Sequence, residues 1–159
     1  MARGRTPEGT GDERRLSHVR RWVGAARRRL GTTGRTDRWV LAIMATEAGF
    51  KGRAGRILEC LAWPVLSVFW PSRLPLLSVG VAQIQLRHWV DLGQLPGMRF
   101  TPSRLRRVLS LRSNYDACAA YLHARARLDR LDVSTAVKLY TGGARADYER
   151  VLAAALHDS

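Results

Sequence analysis

The sequence is poor in cysteine and histidine, and these few residues form no metal-binding pattern. Its only two cysteines, Cys60 and Cys118, lie far apart in the chain and each has apolar neighbours. This setting favours two buried small hydrophobic side chains over a disulfide bond. The four histidines are scattered, and neither Cys-x-x-Cys nor His-Glu-x-x-His occurs. We therefore expect no metal site and no cofactor.

The sequence also lacks a long uninterrupted hydrophobic run. The arginine-rich N-terminal residues are followed by no apolar segment, so we expect no cleavable signal peptide. Residues 61–84 are strongly apolar but contain Pro64, Pro71, Arg73 and Pro75. Because proline interrupts helical hydrogen bonding, a buried hairpin or an interfacial loop is favoured over a membrane span. The localisation of the protein stays open at this stage.

Acidic residues are scarce relative to basic ones. The chain has 13 acidic and 27 basic residues, only Lys51 and Lys138 are lysines, and the net charge is +14. This charge indicates a polyanionic partner: nucleic acid, an acidic membrane surface, or the polymers of a peptidoglycan wall. A length of 159 residues with 46% hydrophobic residues predicts one folded domain.

The N-terminal part of the chain divides into two segments. Residues 1–13 are polar and glycine-rich, so we expect a disordered basic tail. Residues 14–35 predict a basic amphipathic helix followed by a linker. Its apolar stripe consists of Leu16, Val19, Val23, Ala26 and Leu30. Such a helix can lie on an anionic membrane, but packing against its own domain is favoured.

Helical spacing of hydrophobic residues predicts a mainly α protein. We expect a helix from Asp37, its N-cap, to Gly49, its terminator. A short helix over residues 53–62 would face Ile57, Leu58 and Leu61 inward. Four later helices are expected: one opened by Pro102 and Ser103 with Leu105, Val108 and Leu109 inside; one opened by Asn114 with Ala117, Ala120, Tyr121, Ala124, Leu128 and Leu131; one with Val133, Ala136, Val137 and Tyr140; and one with Tyr148, Val151, Leu152, Ala155 and Leu156. Strand signals are confined to a small irregular hairpin near Leu76 to Ile84.

Glu47 is a carboxylate at a position where its helix should carry a hydrophobic residue. The apolar stripe runs through Val40, Ile43 and Met44, and the next position on that face is Glu47. Burial disfavours the ionised form and can raise the pKa of a glutamate to about 6 or 7, which suits a general acid. The alternative is a carboxylate that reaches solvent at the last turn of the helix.

Three segments that follow Glu47 give the sequence a family resemblance. They are Ser78 to Ile84 with a Gly-x-x-Gln pattern, Asn114 to Leu122, and Leu139 to Gly142. Together with Glu47, in this order, they resemble the lysozyme-like lytic transglycosylases and goose-type lysozymes over roughly residues 36–156. The resemblance implies a lysozyme-like α domain of about six to eight helices with at most a small hairpin, and it implies that residues 36–159 form a catalytic domain that binds peptidoglycan glycan strands.

The resemblance also implies roles for individual residues. Glu47 corresponds to the catalytic acid/base, and Tyr140 to the hydroxyl that orients it. Gly80 corresponds to the glycine that lets backbone approach the sugar, and Gln83 to the amide that contacts glycan. Ser78 and Thr141 complete the implied substrate-binding set. The sequence departs from the family pattern at Ala48, Cys118 and Thr141.

The number of carboxylates decides which reaction the resemblance implies. A glycoside hydrolase generally uses two carboxylates, but Gln85 stands where goose-type lysozymes have a second acid. Glu59, Asp91 and Asp116 match no motif and are expected to be solvated or capping residues. The resemblance therefore implies a lytic transglycosylase, in which the muramyl 6-hydroxyl attacks and one glutamate suffices.

Other functions stay open on sequence grounds. The chain could be an inactive glycan-binding module of the same fold. It could instead bind nucleic acid through residues 101–112 and the arginine-rich N-terminal arm, although no helix-turn-helix spacing supports specific recognition. The extra apolar length between Glu47 and Gly80, with Trp63, Phe69 and Trp70, could border the glycan groove, contact lipid or extend the core. Contact with an anionic membrane or wall surface therefore remains a hypothesis.

Overall fold

Helices dominate the structure. The computed structural model describes residues 9–32, 34–126, 131–143 and 145–157, with side chains from residue 13 onward. The elements in chain order are α1 (Gly9–Leu30), α2 (Arg35–Phe69), a 3-10 helix (Pro71–Leu76), β1 (Ser78–Val79), β2 (Ile84–Gln85), α3 (Leu86–Asp91), α4 (Pro102–Leu109), α5 (Leu111–Arg125), α6 (Val133–Thr141) and α7 (Ala146–His157). The predicted mainly α class with a small hairpin is confirmed.

Helix α1 packs along α2 and α7 through its apolar stripe. Val19, Val23 and Ala26 are buried, which confirms that this stripe packs against its own domain. The helix begins at Gly9, so the prediction that residues 9–13 belong to a disordered tail was wrong. Extending an existing helix adds a hydrogen bond for each residue fixed, which favours the extra turn. The rest of the predicted tail, residues 1–8, lies outside the described residues.

The first arm of α2, residues 35–51, forms the centre of the core. All side chains from Trp39 to Thr46 are buried. Asp37 was predicted to be the N-cap, but Gly34 has that position and Asp37 lies three residues further on. The Asp37 carboxylate accepts a hydrogen bond from the Gly34 backbone N–H at 2.6 Å and another from the Tyr115 hydroxyl. A carboxylate at the third helical position accepts from the N-cap backbone N–H, whereas an N-cap side chain accepts from later N–H groups of the same helix end. Both roles suit an acidic residue there, so their sequence patterns are similar.

Two glycines near the middle of α2 have different roles. Gly49 was predicted to end the helix, but α2 continues past it. A Cβ on Gly49 would lie 3.2 Å from Val19 Cγ2, so this glycine permits close packing of α1. The break occurs at Gly52, where φ is 65° and ψ is 178°. Glycine adopts this left-handed φ without steric cost, and Gly52 thereby divides α2 into two arms.

The second arm of α2, residues 53–69, faces the opposite way from the prediction. Ile57, Leu58 and Leu61 are 59%, 66% and 61% exposed, and Trp63 is fully buried instead. The indole N–H of Trp63 donates to the Met98 carbonyl at 2.8 Å, and its ring meets Phe100 edge-on. Burying a tryptophan whose N–H is satisfied stabilises more than burying a leucine, and this determines the inward face.

The first part of the apolar segment, residues 61–76, is largely helical, although a hairpin or an interfacial loop was predicted for it. Residues up to Phe69 continue α2, with Pro64 inside the helix, and a 3-10 helix follows. No helix in the described ranges is both long and apolar enough to cross a membrane.

The hairpin forms where it was predicted, and Asn114 supports its turn. Val79 pairs with Ile84, and Ser78 pairs with Gln85. The Asn114 side chain accepts a hydrogen bond from the Ala82 N–H at 3.2 Å and donates to the carbonyls of Val108 and Ser110. Asn114 was predicted to open and cap α5, but Ser110 caps that helix and Asn114 is fully buried in its first turn. Its amide therefore joins α5 to the hairpin.

The remaining helices mostly follow their predicted patterns. Helix α4 begins at Pro102 behind the cap of Thr101, with Val108 buried, but Leu109 is 57% exposed. Helix α6 buries Ala136 and Val137 of its predicted stripe. Helix α7 buries Tyr148, Val151, Leu152 and Ala155. Ala124 of α5 is exposed, and Leu128 lies outside the described residues. The short helix α3 was not predicted; it buries Leu86 and Trp89.

We predict that Gly80→Ala destabilises the protein more than Gly93→Ala does. Both glycines have a left-handed φ, 77° and 68°, so both substitutions carry a backbone cost of about 1–2 kcal/mol. A Cβ on Gly80 would lie 2.2 Å from Asn114 Oδ1, whereas Gly93 has nothing within 4 Å. Overpacking should lower the free energy of unfolding by about 1–3 kcal/mol more in urea denaturation. Equal losses would show that Asn114 moves aside freely.

Candidate active site

Glu47 lies at the end of the buried segment of α2, five residues before the break at Gly52. Its side chain is partly buried, and its Oε1 accepts a hydrogen bond of 2.7 Å from the hydroxyl of Tyr148 on α7. Tyr148 is 2% exposed and stacks on Phe50 with a ring separation of 5.4 Å. The carboxyl group is therefore fixed from one side by the packing of α7 on α2.

Burial raises the pKa of Glu47 from its ordinary value of 4.5 to about 7. Desolvation is the main cause, because it disfavours the charged form. The Tyr148 hydrogen bond and the positive charges of Lys51 and Arg145 lower the pKa, and the nearby Glu59 raises it. The sequence-based prediction that burial raises this pKa is confirmed. Near neutral pH the group can therefore both donate and accept a proton.

Glu47 borders an open groove that we call the Glu47 groove. One part has a volume of about 490 Å³ and a neighbouring part about 360 Å³, and Ser78, Gln83 and Tyr140 line both. The first part also contains Arg15, Glu47, Phe50, Lys51, Arg145 and Asp147. The second also contains Ile84, Gln85, Arg87, His88, Tyr121, Arg125, Leu139, Thr141 and Gly142. Of the predicted substrate-binding residues, Ser78, Gln83 and Tyr140 therefore line the same part of the groove as Glu47, and Thr141 lines the neighbouring part.

Gly80 is the predicted site residue that the structure does not bring to the Glu47 groove. It is buried against the Asn114 side chain, and it lines an apolar cavity between α2 and α4. The missing side chain of Gly80 makes room for Asn114, and its role in backbone approach to a sugar stays a prediction. Its carbonyl does accept a hydrogen bond from Gln83 Nε2 at 2.8 Å.

The Gln83 side chain belongs to a polar cluster at the break of α2. Its Nε2 donates to Glu59 Oε2 at 2.9 Å, and its Oε1 accepts from Lys51 Nζ at 2.8 Å. Lys51 also pairs with Glu59, whose side chain is only 11% exposed. The prediction that Glu59 is solvated or capping was wrong, because the break at Gly52 brings the two arms of α2 around one ion pair. One sequence signal was available: Glu59 is the only acidic residue between Lys51 and Asp91.

Tyr140 does not make the hydrogen bond that was predicted for it. Its hydroxyl lies 3.1 Å from Cys118 Sγ, and its ring meets Tyr121 edge-on. Tyr148 contacts Glu47 instead, although its position on the α7 stripe indicated an ordinary core residue. Periodicity places both tyrosines inside but does not identify the partner of either hydroxyl. Burial raises the pKa of Cys118 to about 12, so this thiol stays protonated.

Two arginines that line the groove lie over the ring of Phe50. The guanidinium carbons of Arg15 and Arg145 lie 5.0 and 5.3 Å from the centroid of Phe50. Arg145 also pairs with Asp147 at 2.8 Å. Cation–π contacts of this length hold positive charge beside the carboxyl group of Glu47. Sequence reasoning missed this feature, because α1 and the start of α7 meet only in the folded chain.

The chemistry of the described residues gives no indication of a metal centre. No group of three or more histidine, cysteine or acidic side chains is placed to hold an ion in the ranges that the structure covers. Cys60 is partly buried, Cys118 is buried, and both are free, so they do not pair. Thr141, at the edge of the groove, donates its hydroxyl to the Val137 carbonyl at 2.9 Å.

Comparison with known proteins found no family model, no curated protein and no solved structure that matches this chain. The geometry and chemistry of the groove, together with the motif residues of the sequence, are therefore what indicates a function.

We predict that Tyr148→Phe raises the pKa of Glu47 further and that Tyr140→Phe does not. The Tyr148 hydrogen bond favours the ionised carboxylate, and bonds to charged groups contribute about 1.5–3 kcal/mol, which corresponds to about one to two pKa units. Tyr140→Phe is a matched control. It also removes one tyrosine hydroxyl, but that hydroxyl faces Cys118 and does not contact Glu47. The measurement is a carboxyl ¹³C NMR titration, with Glu47→Gln to assign the signal. An unchanged pKa in Tyr148→Phe would contradict this assignment.

Proposed function

We propose that the protein cleaves the glycosidic bonds of peptidoglycan as a lytic transglycosylase, with Glu47 as its general acid/base. The observation that carries this proposal is a carboxyl group with a pKa of about 7 at the edge of an open polar groove. A carboxylic acid that is protonated near neutrality can protonate a leaving oxygen. The motif resemblance of Glu47 and the three following segments supports the same reaction class.

The hydrogen bond from Tyr148 gives the two carboxyl oxygens of Glu47 different roles. Oε1 accepts from Tyr148, so Oε2 is the oxygen that would carry the proton to the glycosidic oxygen. As that bond breaks, the sugar acquires oxocarbenium character and Glu47 becomes a carboxylate. The positive charges of Lys51 and Arg145, which lower the pKa of Glu47, stabilise its carboxylate form. The carboxylate then takes the proton of the muramyl 6-hydroxyl as that oxygen attacks, and an anhydro sugar forms.

Ser78, Gln83, Tyr140 and Thr141 would bind the glycan strand along the groove. Gln83 already has partners for its amide nitrogen and its amide oxygen. A sugar oxygen that accepts from Gln83 Nε2 must therefore replace Glu59 or Gly80, whereas Oε1 keeps a second lone pair for a sugar hydroxyl. The arginines on Phe50 add attraction for the peptide carboxylates of the wall polymer.

Glu59 supports hydrolysis as the second candidate reaction. It is a shielded carboxylate in contact with the groove residue Gln83, and its charge raises the pKa of Glu47. A second carboxylate near the acid is what an inverting or retaining hydrolase uses to activate water or the sugar carbon. Its ion pair with Lys51 and its bond to Gln83 would have to open first, which favours the single-glutamate mechanism.

We predict that Glu47→Gln abolishes release of muropeptides from purified peptidoglycan. The substitution keeps the shape of the side chain but removes the proton donor, which should cost about 10² to 10⁴ in rate. Wild-type activity should fall as the pH rises through about 7, because the acid must be protonated. Mass spectrometry of the products distinguishes anhydro-muramyl ends, expected of a transglycosylase, from the reducing ends of a hydrolase.

The control is Glu149→Gln, which changes an exposed glutamate of α7. It should retain wild-type activity. If wild type and Glu47→Gln both bind wall glycan but release nothing, the chain is an inactive glycan-binding module. If wild type ignores glycan and binds duplex DNA, the nucleic-acid alternative replaces the proposal.

A further inference from the structure

The exposed large hydrophobic side chains are concentrated in one part of the molecule. In the portion that the structure describes they are Ile57, Leu58, Leu61, Val65, Val68, Phe69, Trp70, Leu76 and Leu109. All but Leu109 belong to the second arm of α2, to the 3-10 helix that follows it, or to Trp70 between the two. We call this set the α2 apolar face. Concentrated exposed apolar side chains mark an interaction site, whereas single scattered ones do not.

The spacing of these residues makes the face a continuous stripe. Positions 57, 61, 65 and 69 are four residues apart, and 58 and 68 lie beside them, so they share one side of the helix. A helical rise of 1.5 Å per residue gives this stripe a length of about 18 Å. The inward side of the same arm carries Trp63, which is fully buried. The stripe is therefore the outer face of an anchored helix.

The stripe continues into an apolar groove between α2 and α4. This groove has a volume of about 640 Å³ and includes Ile57, Leu61 and the exposed Leu109. Arg53 and Arg56 lie at its edge. The apolar surface thus has arginines directly beside it.

The charge around the face has one sign. Residues 53–90 contain a single acid, Glu59, which is 11% exposed and paired with Lys51. Residues 92–115, which include α4, contain five arginines and no acid. Exposed arginines at positions 53, 73, 106 and 107 lie on the segments that form the face or adjoin it. A partner that covers this face must therefore present apolar groups together with negative charge.

We propose that the α2 apolar face inserts into the interface of an anionic lipid membrane. Such a surface offers acyl chains for the leucines and phenylalanine and acidic headgroups for the arginines. Trp70 lies at the end of the stripe, 57% exposed and 6.0 Å from the ring of Phe69, and tryptophan favours the headgroup level. This inference does not depend on the proposed glycosidase function.

A second copy of the chain fits the face less well. A two-fold dimer would bring the same patch together with itself. Each copy would supply arginines near the contact and no exposed acid from residues 53–90 to pair with them. Like charges at an interface oppose association, so the membrane is the better match.

Vesicle binding tests the proposal directly. The full chain is mixed with phosphatidylcholine vesicles that contain either no anionic lipid or about 30 mol% phosphatidylglycerol, at ionic strengths of about 0.01 and 0.15 M. Binding is measured by cosedimentation, and insertion by quenching of tryptophan emission with brominated lipids. Trp39, Trp63 and Trp89 are buried and Trp22 is partly buried, so Trp70→Phe shows whether the quenched signal is Trp70.

Two triple variants separate insertion from simple charge attraction. Leu58→Gln, Leu61→Gln and Phe69→Gln together remove apolar groups of the face without changing net charge. Arg21→Gln, Arg28→Gln and Arg29→Gln together remove three exposed charges of α1 and leave the face intact. All six side chains are exposed, so both variants should keep the wild-type circular dichroism spectrum and thermal midpoint.

We expect wild type to bind the anionic vesicles, more weakly at the higher ionic strength, with quenching of Trp70. The apolar-face variant should lose about tenfold or more of its partition coefficient and all of the quenching. The α1 variant should bind somewhat more weakly and keep the quenching. Equal binding by wild type and the apolar-face variant, or binding without quenching of Trp70, would overturn the proposal. A wild-type dimer in solution that the apolar-face variant abolishes would assign the face to a second copy and also overturn it.

Discussion

The hydrogen bond between Tyr148 and Glu47 joins two residues 101 positions apart, and the candidate site depends on it. It forms only because α7 packs on the first arm of α2, with α1 covering both helices. That packing removes water from one side of the carboxyl group, while the groove leaves the other side open. Desolvation then outweighs the hydrogen bond and the neighbouring cations, and the pKa of Glu47 rises to about 7.

The break at Gly52 determines how the second arm of α2 contacts the candidate site. A continuous helix would carry residues 53–69 straight on, whereas the break places Glu59 against both Lys51 and Gln83. The ion pair is shielded from solvent at Glu59. Gln83 Nε2 donates to Glu59 Oε2, and Lys51 Nζ donates to Gln83 Oε1. Anchoring by Trp63 then leaves the opposite side of this arm exposed. One glycine thus separates a polar groove from an apolar outer face.

Part of this arrangement could be predicted from sequence, because it depends on local periodicity. The burial of Glu47 follows from the stripe through Val40, Ile43 and Met44, and the hairpin and helices α6 and α7 follow from their own patterns. The local sequence pattern did not predict the role of a residue where two structural roles favour the same residue type. A glycine can permit close packing, as at Gly49, or a left-handed φ, as at Gly52, and an asparagine can cap a helix or be buried like Asn114.

The remaining errors arise from contacts between distant segments. The inward face of residues 53–69 depends on the Trp63 bond to Met98, and the residue that contacts Glu47 depends on how α6 and α7 pack. A helical stripe predicts that a tyrosine faces the core, but it does not predict the partner of its hydroxyl. On the sequence pattern alone, Tyr140 and Tyr148 could therefore each have contacted Glu47. The same limit applies to the Lys51, Glu59 and Gln83 cluster, which exists only after the hairpin returns to the break in α2.

In the folded chain Glu47 stays neutral well above the pH at which an exposed glutamate ionises. The most direct measurement is the free energy of unfolding of wild type and Glu47→Gln as a function of pH. Between about pH 4.5 and 7 the unfolded wild type releases this proton and the folded wild type retains it, so wild type loses stability as the pH rises. The glutamine variant lacks this loss. Its stability relative to wild type should therefore increase by roughly 3 kcal/mol over that range and then level off. A difference that does not vary with pH, or that falls as the pH rises, would show that the folded chain does not raise the pKa of Glu47.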